Sequence, residues 1–153
     1  MRATLPIGLM LWLAAFVVPG CTQAPPPIGQ WRQQVVGPTW TLTRLDGRPP
    51  LAGHAPTLTF APDGRVAGDT GANRYFATYD QTPEGGLRFA ALGSTRMFRG
   101  EPAGLMDQEQ RYFAALGGVA SYRLKNDRLI LRGGGSVKLV FECDKPDAST
   151  TSP

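Results

Sequence analysis

The residues able to do chemistry in this chain are few and unevenly placed. The richest group is Gly68-Asp-Thr-Gly-Ala-Asn-Arg74, where glycines can expose backbone N–H groups and Arg74 can add positive charge, the makings of an anion or phosphate loop. Such loops work because a helix N-terminus stands behind them with unpaired donors. Here Tyr75-Phe-Ala-Thr-Tyr79 follows, an aromatic and β-branched run that reads as a strand. The segment therefore reads as a structural turn, with Gly68 and Gly71 for positive φ, Thr70 capping it and Asn73 bonding nearby backbone. A second segment, Ser94-Thr-Arg-Met97, places Arg96 beside Met97, and Arg96 is a candidate partner for Asp69 that would tie the two segments together.

Nucleophilic and metal chemistry are thinly supplied. The chain has 2 cysteines and 1 histidine. Cys143 stands just after the last apolar run, where it could be catalytic, pair between molecules or be a tolerated residue at a frayed end. His54 lies far away in a proline-flanked loop, so a Cys/His nucleophile pair is not expected. A zinc site wants three or four clustered ligands, and no such cluster is written in the spacing. No Ser/His/Asp set or close carboxylate pair can be assembled either, so no catalytic residue, cofactor or metal is expected.

The formal net charge is +4, from 16 lysines and arginines against 12 acids. The cations are scattered singly, with no cluster interleaved with aromatics, so a nucleic-acid partner is not expected.

The N-terminus reads as a targeting segment. Arg2 precedes the apolar run Leu5–Val18, which ends at Pro19-Gly20-Cys21. The run is shorter than the roughly 20 apolar residues a membrane-spanning helix needs, so residues 1–20 read as a signal peptide. Gly20 before Cys21, with Val18 two positions earlier, resembles a bacterial lipobox, whose cysteine is acylated. The competing route is an ordinary cut after Ala24. Lipidation of Cys21 would attach the protein to a membrane without spanning it. Thr22 lacks the aspartate that favours inner-membrane retention in enteric lipoproteins, which by that resemblance points to an outer-membrane lipoprotein facing the periplasm.

Three elements of organisation follow. Residues 21–37, with Pro25-Pro-Pro27, read as a lipidated N-terminus and proline-rich tether. Residues 38–142 form one domain of about 100 residues with a single modest core. Residues 143–153 read as a disordered tail, because they contain no large apolar side chain.

Within the domain, Thr39–Leu45 alternates at period two and places Trp40 and Leu42 on a core face. Thr57–Phe60, the turn at Pro62-Asp-Gly64 and Arg65–Ala67 make a hairpin. Tyr75, Ala77 and Tyr79 share a face of the next strand, and Leu87–Leu92 follows. After Gly100 the period changes: Glu101-Pro102 sets up a helix with proline in its first turn, Leu105, Met106, Phe113 and Leu116 lie near one face, and Gly117-Gly118 end it. Ala120–Leu124, Arg128–Leu131 and Ser136–Phe141 close the chain. These elements predict an α+β fold, a small curved antiparallel sheet or partly open barrel of about seven to eight strands with one helix before the last three.

The order of these pieces resembles the META/HslJ family, small bacterial domains often carried by lipoproteins. The resemblance rests on Trp40-Thr-Leu42, Gly68–Tyr75, Ser94-Thr-Arg-Met97, the helix end Tyr112–Leu116 and the last two strands. It implies associations with heat shock, envelope stress and novobiocin tolerance, and no established catalytic activity. Relatives commonly read Gly-Cys-Asn and Met-Ala-Cys where this chain has Gly71-Ala72-Asn73 and Met97-Phe98-Arg99. If those cysteines face each other in relatives, Ala72 and Arg99 are close in space here. The resemblance thus favours a non-enzymatic accessory lipoprotein, attached to the membrane through its N-terminal lipid and serving an envelope protein partner. The alternative is a secreted inhibitor or protein-interaction module using loops such as Arg44–His54.

Overall fold

The computed structural model describes residues 28–82, 85–95, 97 and 101–143. Its elements in chain order are α1 (Ile28–Gln34), β1 (Thr39–Leu45), β2 (Thr57–Phe60), β3 (Arg65–Asp69), β4 (Arg74–Gln81), β5 (Leu87–Ser94), α2 (Leu105–Gly117), β6 (Ser121–Lys125), β7 (Arg128–Gly133) and β8 (Ser136–Cys143). All eight strands form one antiparallel sheet in the order β5-β4-β3-β2-β1-β8-β7-β6. The first and last strands therefore meet in the middle, Leu42 opposite Phe141, and each half of the chain winds outward from that seam.

The sheet curls until its two edges nearly meet. Gly86 bridges Ser121, and the Leu87 N–H donates to the Ala120 carbonyl at 3.1 Å. Beyond that corner the edges part and α2 packs along β5, β8 and β1. The result is the expected half-barrel with the helix before its last three strands. Period-two burial drives it: Trp40 and Leu42 in β1, Leu58 and Phe60 in β2, and Leu139 and Phe141 in β8 all face inward, and a register shift between Leu42 and Arg44 turns Leu45 inward as well. Each fully buried side chain of this size contributes about 1.5–3 kcal/mol, which is what selects this face over its opposite. Tyr75 and Ala77 are buried and Tyr79 is half-buried on one face of β4, as the alternation predicts.

Three expectations are corrected. The segment expected as tether up to residue 37 includes a folded element, since Ile28–Gln34 is helical and Trp31 and Val35 are 1% and 0% exposed. Trp31 meets Phe60 edge-on at 5.2 Å and Tyr122 at 4.2 Å, spanning from β2 to β6. The Trp40 indole donates to the Val35 carbonyl at 3.1 Å and fixes the end of α1 to β1. Short range, three prolines dominate; long range, burial of the indole decides. Second, Cys143, expected at the start of a disordered tail, is the last residue of β8, opposite Trp40 and packed against the core, while residues 144–153 and the expected signal segment 1–20 lie outside the described residues. Third, α2 begins at Leu105, not in the turn of Pro102. Gly104, at φ 85°, precedes it, and the Pro102 carbonyl accepts from the Leu105 N–H at 3.1 Å just outside the helix.

Candidate functional site

The Gly68–Asn73 segment is a tight connection between β3 and β4, with Asp69 paired to Arg74 across it. Its geometry comes from its own side chains. The Thr70 hydroxyl accepts from the N–H of Asn73 at 2.9 Å and of Ala72 at 3.3 Å, and Asp69 Oδ1 accepts from the Gly71 N–H at 2.6 Å. These side-chain acceptors take over donors that a tight turn leaves unpaired. Thr70 therefore caps the turn as expected.

Gly71 has the expected positive φ but Gly68 does not, and close approach of another backbone dictates both. A Cβ on Gly68 would stand 2.0 Å from the Thr57 carbonyl oxygen. Gly71 has φ +88°, and a Cβ there would lie 2.4 Å from the His54 carbonyl oxygen. The His54 loop thus rests directly on the turn. His54 Nδ1 lies 3.1 Å from the Gly71 carbonyl, which can only accept, so a hydrogen bond there has Nδ1 as its donor.

The turn is held from beneath by α2. Glu109 is 8% exposed, and its carboxylate accepts from the Thr70 hydroxyl at 2.5 Å and from the Asn73 amide at 3.0 Å. The neighbouring Gln108 binds the other loop: its amide donates to the His54 carbonyl at 2.8 Å and its oxygen accepts from the Leu51 N–H at 2.7 Å. One turn further along, Tyr112 meets Tyr75 with hydroxyls 2.6 Å apart. Tyr75 donates to the Thr57 carbonyl at 2.9 Å, so Tyr112 must be the donor to Tyr75. Burial raises both phenols above the ordinary tyrosine value, which keeps both hydrogens in place.

Asn73 departs from expectation. Its backbone closes the turn, but its side chain reaches across to the second motif, with Oδ1 accepting from the Met97 N–H at 2.8 Å and Nδ2 donating to the Met97 carbonyl at 3.1 Å. This paired amide contact joins Gly68–Asn73 to Ser94–Met97, the linkage that the sequence assigned to Asp69 and Arg96. Arg96 lies outside the described residues, as do Arg99 and with it the expected proximity to Ala72, and as does Cys21. The Met97 side chain is 55% exposed, so its backbone makes the connection.

The residues missed from sequence are Gln108, Glu109 and Tyr112. Leu105, Gln108, Glu109, Tyr112, Ala115 and Leu116 form the buried face of α2, while Met106 and Phe113 are half-buried at its margins. Their 3.6 spacing was visible, but a glutamine and a glutamate read as solvent-facing until something buried accepts them.

Chemically the arrangement is a closed polar core. The Thr70–Glu109 contact has the form of an activated hydroxyl, yet Thr70 is 0% exposed and its oxygen already accepts two backbone N–H groups. Among the described residues no three His, Cys, Asp or Glu side chains gather as a metal set. On the outer face of β2–β5 lies an open depression of about 490 Å³ lined by Thr59, Ala67, Phe76, Thr78 and Ala91. Phe76 is 62% exposed there and lies over Gly93 of the next strand, where a Cβ would stand 2.5 Å from its ring.

A curled antiparallel half-barrel with one inserted helix, its β3–β4 turn bound to that helix, defines a small META-type domain. The META domain sequence pattern matches residues 33–145, and the chain belongs to the META domain family. No curated protein matches the sequence. Among solved structures it is similar to a protein from Burkholderia xenovorans determined by NMR, with a TM-score of 0.58 and 25% identity over 90% of this chain and 100% of that one. A second NMR structure gives a TM-score of 0.57 at 21% identity, covering 72% of this chain and 92% of the other. A DUF4847 family protein from Bacteroides vulgatus ATCC 8482 shares the fold at a TM-score of 0.54 and 14% identity, over 76% of this chain and 99% of that one.

Proposed function

We propose that this is a non-enzymatic accessory lipoprotein of the cell envelope, acylated at Cys21 and held at the outer membrane facing the periplasm. The observation that carries the non-catalytic reading is the closure of the Thr70–Asn73–Glu109 group: its donors and acceptors are spent on one another and on backbone, away from solvent. A site that binds or transforms a ligand keeps convergent polar groups open to it. The anchoring reading is supported by Arg2, the apolar run Leu5–Val18 and the Gly20-Cys21 junction. The family resemblance supports a role for such a module in envelope stress or the heat-shock response. Mass spectrometry of the protein from a membrane fraction is expected to find acylated Cys21 as the mature N-terminus; an unmodified N-terminus elsewhere sinks the anchoring reading.

The second reading is a protein-interaction or inhibitor module. Its support has moved from the Arg44–His54 loop, whose Leu51–His54 end is pinned by Gln108, to the apolar depression around Phe76. Pull-down from envelope extracts with the natural protein and with Phe76→Asp separates them: a stoichiometric partner lost in the variant favours this reading.

A further inference from the structure

Scattered in sequence, the cations of the C-terminal half are gathered by strand register. In β6, Tyr122 is buried and Leu124 half-buried, which turns Ser121, Arg123 and Lys125 outward; in β7, buried Leu129 and Leu131 turn Arg128, Ile130 and Arg132 outward. The register sets Ser121 opposite Arg132, Arg123 opposite Ile130 and Lys125 opposite Arg128. On the next strands Ile130 lies beside Val140, and Val140 beside Arg44. Four cations therefore ring an aliphatic strip of Ile130 and Val140, with Arg44 at its far end and 41%-exposed Val137 beside Arg132. An open depression of about 440 Å³ lies between Lys125, Asn126, Arg128 and Ile130.

The asymmetry is a property of this face and not of the whole molecule. Residues 121–143 hold five cations and two acids, a net +3, whereas residues 57–94 hold three cations and four acids, a net −1. On the basic face Arg128 is paired with Glu142 at 2.9 Å and Lys138 with Asp46 at 3.6 Å, and Asp127 sits at the β6–β7 turn. Arg123, Lys125 and Arg132 have no described ion pair. Like charges placed side by side on a sheet are destabilising unless something offsets them.

We propose that the outer face of β6–β8 rests on an anionic membrane surface, with Arg123, Lys125 and Arg132 on lipid phosphates and the Ile130–Val140 strip against the headgroup–acyl boundary. Charge complementarity selects an anionic partner, and the aliphatic strip selects a lipid one. A nucleic acid would want outward aromatics to stack its bases, but the aromatics of these strands, Tyr122 and Phe141, are buried on the inner face. Each Lys or Arg at an anionic leaflet favours the bound state by about fivefold. This goes beyond the anchoring proposal and does not depend on it.

The test uses the full chain on phosphatidylcholine vesicles with and without phosphatidylglycerol, with arginine modification by phenylglyoxal read by mass spectrometry. Arg123 and Arg132 are expected to react about fivefold or more slowly on the anionic vesicles, with Arg65 and Arg88 unchanged and the protection lost in high salt. R123E/R132E, at surface positions, is expected to lower the anionic-over-zwitterionic binding ratio by at least about 25-fold, while R65E/R88E, with the same change in net charge, leaves it within about twofold. Equal reactivity on both vesicles, uniform slowing of every arginine, or protection by soluble heparin without protection by vesicles overturns the proposal; the last result assigns the face to a soluble polyanion. An N-terminal anchor binds both vesicle types alike, so its loss lowers binding to both, whereas failure of this inference removes only the contrast between them.

Discussion

Glu109→Ala is the sharpest perturbation of the buried polar core. The substitution removes charge-assisted bonds from Thr70 at 2.5 Å and Asn73 at 3.0 Å. Neither donor is orphaned, because the Thr70 hydroxyl can swing to the Asn73 carbonyl at 3.1 Å and the Asn73 amide keeps the Met97 carbonyl at 3.1 Å. Hydrogen bonds to a charged group are worth about 1.5–3 kcal/mol each, and relief of the carboxylate's desolvation offsets part of the loss, leaving about 2–4 kcal/mol. With m near 2 kcal/mol per molar urea, the midpoint is expected to fall by about 1–2 M at unchanged m. Glu109→Gln tests the mechanism further. Its oxygen can keep the Oε2 place and accept from Thr70 and Asn73, but its amide N–H then faces the Asn73 amide, which donates to the other carboxylate oxygen at 3.2 Å, so about half the loss is expected. Amide exchange should quicken at residues 70–73 and at Met97 before the rest of the sheet. An alanine variant within about 0.5 kcal/mol of the natural protein, or a glutamine variant less stable than alanine, refutes the reasoning.

Four further outcomes follow from the same geometry. Tyr75→Phe leaves the Thr57 carbonyl and the Tyr112 hydroxyl without a partner and is expected to cost about 2–3 kcal/mol, against about 1 kcal/mol for Tyr112→Phe, which removes one donor only; urea midpoints of the two variants check the order. All four tyrosines are raised from an ordinary value of 10.0 by burial, so their contribution is fully present below pH 10 and is lost as pH rises above it; urea midpoints should be insensitive to tyrosine ionisation at neutral pH and drop in alkali, with absorbance at phenolate wavelengths rising in step with unfolding. Trp31→Ala is expected to cost about 3–5 kcal/mol in thermal or urea unfolding, a loss that a mere tether would not show. Gly71→Ala combines a left-handed backbone with a Cβ 2.4 Å from the His54 carbonyl and should cost more than 2 kcal/mol, about twice the conformational penalty alone, with the Leu51–His54 amides exchanging faster.

Much of the frame was legible because local pattern and tertiary outcome agree. Trp40 and Leu42 in β1, the Pro62-Asp-Gly64 turn, and Tyr75 with Ala77 in β4 follow period two and turn chemistry, and the sheet buries what the alternation offers. Asn126 and Asp127, both at positive φ, make the two-residue hairpin between β6 and β7, as two turn-forming residues between apolar runs suggest. Trp31 was illegible because three prolines two turns earlier speak for extension, and nothing nearby in sequence reveals Phe60 and Tyr122. Gln108 and Glu109 were illegible because a polar residue on an apolar face has value only once its partners are known.

By itself, then, the sequence determined the strands, helix α2, the family and the left-handed turn at Gly71, since each of these depends on covalent backbone freedom and on side chains a few residues apart. The tertiary structure decided which motif holds which: Asn73 to Met97, Glu109 to Thr70, Gln108 to the His54 loop. It also decided that Arg123, Lys125, Arg128 and Arg132 share one face. Those are pairings between residues up to 57 positions apart, and a hydrogen bond or a charged face exists only when register and curvature bring its members together, a quantity no local spacing encodes.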